Sequence, residues 1–270
     1  MNSWRNVIIS GENLMYFAIF AEIREGMEQF IRFFAFPLNL IFAVLWLTSC
    51  LIVWRTRSKS VPVAFILSPF SVILSIVLFL GSCLWIGCSG DRGFVRTLFF
   101  MLVFLYFQTV LLFVVFRGWK IRSGRMRVRF TLNHAGLLLA LGAAFWGNPD
   151  NEELRMKLYV GETSDVAYRM DGGKTWLDKE IKLESMKTDT YEDGSPMHHS
   201  ASLLIGDKPV EISVNHPYSS GLSESIYLAS MGDGNCVLQI VREPWRYFAL
   251  AGIIMMIAGA FLMFIKGPKS

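Results

Sequence analysis

The sequence is poor in charge, cysteine and histidine. Charged residues fill only 18% of its 270 positions while apolar residues fill 53%, against about 25% charged for an ordinary soluble domain. That balance excludes a disordered chain and argues against a water-soluble enzyme. The four cysteines, Cys50, Cys83, Cys88 and Cys236, form no C-x-x-C pair, so neither a zinc ribbon nor a thioredoxin-like dithiol fits. No G-x-S-x-G, Walker A, H-E-x-x-H or strand–G-x-G-x-x-G–helix pattern occurs. No self-contained hydrolase or transferase is marked, and no residue is assigned a catalytic role.

What the chain has in abundance is long apolar runs. Uncharged stretches cover 33–54, 61–90, 97–116, 130–149 and 247–265, the last inside a span set at 245–266. A bilayer crossing needs about 20 residues, so the reading is an integral membrane protein with five α-helical spans. Pro69 stands inside the longest run, where it kinks a helix or marks its entry. Residues 1–32 hold no signal peptide. Tyr16, Phe20, Ile23, Met27, Phe30 and Phe34 recur at spacings of three and four, as one face of an amphipathic helix on a membrane surface or a partner.

Charge is segregated along the chain. Asn148 to Glu243 holds 17 Asp and Glu against 9 Lys and Arg, and the remainder is strongly basic. Arg55, Arg57 and Lys59 fill the first loop, Arg117, Lys120, Arg122, Arg125, Arg127 and Arg129 the third, and Lys266 and Lys269 stand at the end of the last span and in the tail at 267–270. By the excess of positive charge on the cytoplasmic side, these face the cytoplasm, the acidic block at 150–243 is exported, and five spans place the N-terminus outside. The basic part is too apolar for nucleic acid, and no nucleic-acid motif accompanies it.

The exported block changes period. Leu154–Val160, Asp165–Met170, Ser200–Ile205, Val210–Asn215, Ser225–Ser230 and Cys236–Arg242 read as short strands separated by glycine-rich turns. The expectation is an antiparallel all-β domain, a sandwich or small barrel, inserted between the last two spans. Cys83 and Cys88, five apart near one end of a span, leave a disulfide, packed thiols or an unpaired pair open. Cys236 is an odd surface thiol or a buried strand residue.

Among the four histidines, His134 is the sharpest feature. It falls about one turn inside the cytoplasmic boundary of the fourth span, where an ionisable ring is costly without a partner and is a functional candidate by default. A neutral imidazole is the form that ligates metal or haem iron. Gly136, Ala140, Gly142 and Ala143 leave room for a flat ligand or a close helix. The other reading is a polar contact, with His134 donating to a carbonyl or to Asn133. No second histidine lies in a span, so a second iron ligand would be another subunit's or one of Met101, Met255, Met256 and Met263. His198 and His199 read as a solvated loop before a strand, and His216, before Pro217, as a turn.

These residues resemble a known family. Phe130-x-x-x-His134-x-Gly-Leu-Leu-Leu-x-Leu-Gly142, then Asn148-Pro-Asp150 and a β domain, is similar to the ResB/CcsB proteins of system II cytochrome c biogenesis. Leu158-Tyr-Val-Gly-Glu162, Val214-Asn-His-Pro217 with Gly221 and Tyr227-Leu-Ala-Ser230, Ser68-Pro-Phe-Ser-Val-Ile-Leu74, and Val241-Arg-Glu-Pro244 before Gly252 and Gly259 extend the resemblance from about Val61 onward. It implies a subunit in the bacterial inner membrane with its β domain on the periplasmic side. Such a subunit passes haem b, bound transiently as transported substrate, to apocytochrome c, with His134 as an axial ligand of the haem iron. The implied partners are a CcsA-type haem-handling membrane protein, apocytochrome c and a thioredoxin-like thiol reductase. The chain lacks the CcsA half and its tryptophan-rich segment, so the resemblance implies at most a subunit of a cytochrome c haem lyase complex. Residues 1–60 exceed the family's four-span core. The rival reading is a membrane scaffold that binds no haem and docks a partner through its exported β domain.

Overall fold

A computed structural model describes residues 33–57, 59–90, 94–95, 97–120, 128–170, 172–190 and 196–266. The expected surface helix within 1–32, most of the basic connection at 121–127, and the tail at 267–270 lie outside them. The chain divides into two compact units, one drawing on residues up to Gly142 and from Ala251, the other comprising Ala143–Leu250.

The first unit is helical: α1 (Leu38–Arg57), α2 (Val61–Ile66), α3 (Pro69–Ser89), α4 (Leu98–Lys120), and most of α5 (Val128–Trp146) and α6 (Arg246–Lys266). Among the described residues, all but α2 are long and apolar enough to cross a membrane. The run at 61–90 is not one helix. It breaks at Leu67 and Ser68, where the Ser68 hydroxyl accepts from the Ser71 amide and Pro69 opens α3. Proline suits that first position because its missing N–H has no partner to lose.

Helix α4 is the most enclosed, and polar side chains pin its neighbours to it. Trp46 Nε1 of α1 donates to Thr109 Oγ1 at 3.1 Å, and Ser71 Oγ of α3 lies 2.6 Å from the Tyr106 hydroxyl. Phe79 of α3 stacks on Phe107 with ring centroids 4.8 Å apart. Helices α5 and α6 meet through glycine instead. A Cβ at Gly252 would sit 2.5 Å from the Ala140 nitrogen and 2.6 Å from the Gly136 carbonyl oxygen, so this crossing needs bare backbone.

The second unit is an eight-stranded antiparallel sheet, inserted between the last two spans. Its strands are β1 (Glu152–Tyr159), β2 (Thr163–Arg169), β3 (Lys174–Thr190), β4 (Pro196–Ile205), β5 (Lys208–Ser213), β6 (Tyr218–Ser219), β7 (Glu224–Gly232) and β8 (Asn235–Arg242), in the order β5-β4-β3-β2-β1-β8-β7-β6. One core takes Leu154, Leu158, Leu183, Leu203, Ile212, Ile226 and Leu238 from strands across the whole sheet. The ends therefore curl toward each other, and Lys208 of β5 lies over the Tyr218 ring of β6 at 5.2 Å. This is barrel-like, not two facing sheets. Arg242 of β8 stands between Glu224 of β7 at 2.7 Å and Glu152 of β1 at 3.2 Å, opposite charges on adjacent strands.

The sequence reading passed over β3, the longest strand. Its Lys, Asp and Glu residues hide an alternation in which Ile181 and Leu183 reach the core. The histidine pair is corrected accordingly. His198 and His199 belong to β4, opposite Asp189 and Thr188, with His199 Nδ1 3.0 Å from Thr188 Oγ1. Where β3 runs on, its hydrogen bonds hold those residues extended, so they form no loop. His216 does lie in a turn after Asn215, whose φ is 65°.

The chain enters and leaves this unit at one place. Trp245 Nε1 donates to Asp150 Oδ2 at 2.6 Å, and Arg246 donates to Ser225 Oγ at 2.8 Å and the Gly221 carbonyl at 3.2 Å. All four cysteines are free thiols. Cys83 and Cys88 are exposed on α3. Five residues along one helix separate their Cα atoms by about 7.5 Å of rise and about 140° of turn, beyond disulfide reach. Cys236 is buried in β8, and burial pushes its thiol up to about 11.

Leu238→Ala is expected to cost about 2–5 kcal/mol, read as a lower Tm of the strand signal in circular dichroism of the detergent-solubilised chain. Cys236 is expected to stay unmodified by N-ethylmaleimide at neutral pH in the folded protein and to react once the chain is unfolded.

Candidate functional site

His134 lies in the second turn of α5, and its ring is held on two sides. Nδ1 is 2.9 Å from the carbonyl oxygen of Phe130, one turn back, and the imidazole stacks on the Phe130 ring with centroids 4.0 Å apart at 25°. Phe130 in turn lies against Gly118 of α4, where any Cβ would collide with its ring. A carbonyl oxygen only accepts, so Nδ1 carries the proton and donates. In the neutral ring the lone pair is then on Nε2. Among the described residues, Nε2 meets no hydrogen-bond partner.

Helical geometry orients the ring. Gly136 is about 160° around α5 from His134, and it abuts Gly252 and Met255 of α6. Helix α6 therefore covers the face opposite the imidazole. Leu138 and Leu141, one and two turns on, share the face of His134. Leu138 joins a cluster with Cys50 of α1, Val63 of α2 and Leu112 and Phe113 of α4, rimmed by Trp54, Leu67 and Phe116. Gln108 Nε2 of α4 donates to the Leu141 carbonyl at 3.3 Å. Helices α4 and α5 thus run antiparallel, Gly118 beside Phe130 and Gln108 beside Leu141, and His134 is on the α4 side.

Two of the methionines lie away from the imidazole. Met255 packs behind α5 against Gly136, and Met263 Sδ accepts from Asn133 Nδ2 at 3.4 Å. The amide nitrogen of Met256 is also close to Gly136. Met101 is 17 residues from Gly118 on α4, roughly 26 Å along the axis. Asn133 is turned to Gly259 on α6, so it is not the partner of His134. No group of three or more His, Cys, Asp or Glu that could hold a metal ion occurs among the described residues.

The site offers one nitrogen donor of the right tautomer, an aromatic ring stacked on it, and an apolar, aromatic flank. A neutral imidazole nitrogen of this kind is a donor that iron can accept. Two polar features escaped the sequence reading. Gln108 is fully buried in α4, and its Oε1 has no hydrogen-bond partner among the described residues. Arg117 NH1 donates to the Leu67 carbonyl at 3.4 Å. Counting charges along a span cannot find an amide, and nothing local marks a contact fifty residues away.

No family model matches the chain, and no curated protein does. Among solved structures it is similar to cytochrome c heme lyase CcmF, with a TM-score of 0.40 and 14% identity over 84% of this chain and 45% of that one. The chain thus spans less than half the length of that neighbour, and a likeness this coarse carries no argument about chemistry.

Proposed function

We propose that the chain is a haem-handling subunit of cytochrome c biogenesis in a bacterial inner membrane, and that His134 is an axial ligand of the haem it passes on. The observation that supports this is the 2.9 Å contact between Nδ1 and the Phe130 carbonyl oxygen. The Phe130 carbonyl holds the proton on Nδ1 and leaves the Nε2 lone pair without a partner. A hydrogen bond from the distal nitrogen to a carbonyl also orients a metal-bound imidazole and raises its basicity. The residue pattern around His134 and its resemblance to the ResB/CcsB family supply the substrate and the pathway.

In this reading haem b enters at the basic end of the helices. Its apolar face lies among side chains and its iron is held by Nε2. The opposite axial ligand comes from a CcsA-type partner. The β unit lies on the periplasmic side, where it meets apocytochrome c whose thiols a thioredoxin-like reductase keeps reduced. This chain binds and positions, and thioether formation is the task of the assembled complex.

Haem titrated into the detergent-solubilised chain is expected to give the Soret band of an imidazole-ligated iron. His134→Ala is expected to weaken binding at least about tenfold, since removing even a supporting partner of a metal ligand costs that much. His134→Gln separates the scaffold reading, because an amide repeats the bond to Phe130 without ligating iron. If His134→Gln supports cytochrome c maturation as well as the wild type, the haem reading fails.

A further inference from the structure

A haem is an iron, an apolar disc and two carboxylates, and His134 accounts only for the iron. Among the described residues, the helical unit holds no Asp or Glu; Glu12, Glu22, Glu25 and Glu28 stand in 1–32. From Phe33 to Gly142 the sequence has 11 Lys and Arg and a single acid, Asp91, and from Ala251 onward it has no acid. A haem propionate would bring a carboxylate to these basic helices.

Arg117 is the cation best placed to receive one. It precedes Gly118, on which Phe130 lies, and Phe130 stacks on the His134 ring. The guanidinium is exposed, and among the described residues it has no carboxylate partner. Its NH1 reaches the Leu67 carbonyl at 3.4 Å, near the outer limit of a hydrogen bond. That carbonyl sits where the chain breaks between α2 and α3. Among the described residues, that bond leaves most of the five N–H donors of Arg117 unused. Leu67 and Leu138 pack against one apolar cluster, so Arg117 reaches the Leu67 edge of a cluster whose Leu138 edge shares a face of α5 with His134.

We propose that Arg117 binds a propionate of the haem whose iron His134 ligates. This rests on the reading of His134 given above and adds the group that sets the orientation of the disc. A planar guanidinium pairs with a carboxylate through two parallel hydrogen bonds, so the propionate edge is held at the basic end while the ring lies among apolar side chains. Lipid phosphate offers a guanidinium similar chemistry, and the experiment separates the two.

The full chain, in neutral lipid-depleted detergent, is titrated with haem, haem dimethyl ester and metal-free protoporphyrin IX. For Arg117→Gln, haem and protoporphyrin affinity is expected to fall about tenfold, the scale of a lost charge-assisted bond. Its affinity for the dimethyl ester is expected to equal that of the wild type, which also shows the variant is folded. Equal loss with acid and ester would overturn the proposal in favour of a purely structural role. Unchanged haem affinity, with less phosphatidylglycerol retained by the variant, would overturn it and assign the guanidinium to lipid phosphate. Failure of the His134 reading looks different. His134→Ala would then leave the haem spectrum unaltered, while the acid–ester difference in protoporphyrin binding would still report on Arg117.

Discussion

Inside a bilayer no water is available to complete a hydrogen bond, so each polar group in a span must find its partner in the protein. The helical unit is arranged around that constraint. Trp46 meets Thr109, Ser71 meets Tyr106, and the amide nitrogen of Gln108 meets the Leu141 carbonyl. Each of these bonds joins a neighbouring helix to α4, which is why α4 is the enclosed one. His134 obeys the same rule with one nitrogen only. Its Nδ1 is satisfied by its own helix, and the other nitrogen is left with an unshared pair.

The two close crossings of α5 divide its labour. On one side, Gly136 and Ala140 admit the backbone of α6 at Gly252. On the other, Phe130 covers Gly118 and positions the imidazole beside α4. A single helix is therefore clamped on its glycine face and chemically presented on its histidine face. The clamp also occupies Met255 and Met263.

Much of this was legible in the sequence. The spans announced themselves through length and lack of charge, a signal that the hydrocarbon thickness makes almost unavoidable. His134 stood out for the same reason, as an ionisable ring in such a run. The glycines of α5 were visible as vacant space, but not which helix would fill it. Pro69 was visible as punctuation, and the structure shows it opening α3. What stayed hidden was relational. Strand β3 carries charges at many positions, and only its pairing with β4 reveals Ile181 and Leu183 as core residues and draws His198 and His199 into the sheet. The bond from Nδ1 to Phe130, the burial of Gln108 and the reach of Arg117 to Leu67 depend on rotamers and helix register that no local pattern encodes.

The order of strands has a consequence for how the protein is made. Strand β1 is the first of the sheet to be synthesised and lies at its centre, yet along its whole length it is bonded to β8, the last. Until the ribosome has delivered some ninety further residues, β1 shows a bare row of amides and carbonyls on that side, a template for wrong pairing. The long separation between these partners makes closure slow. Such a nascent chain has reason to call on a holdase, and the sixth helix follows β8 so directly that its insertion and the sealing of the sheet are nearly one event.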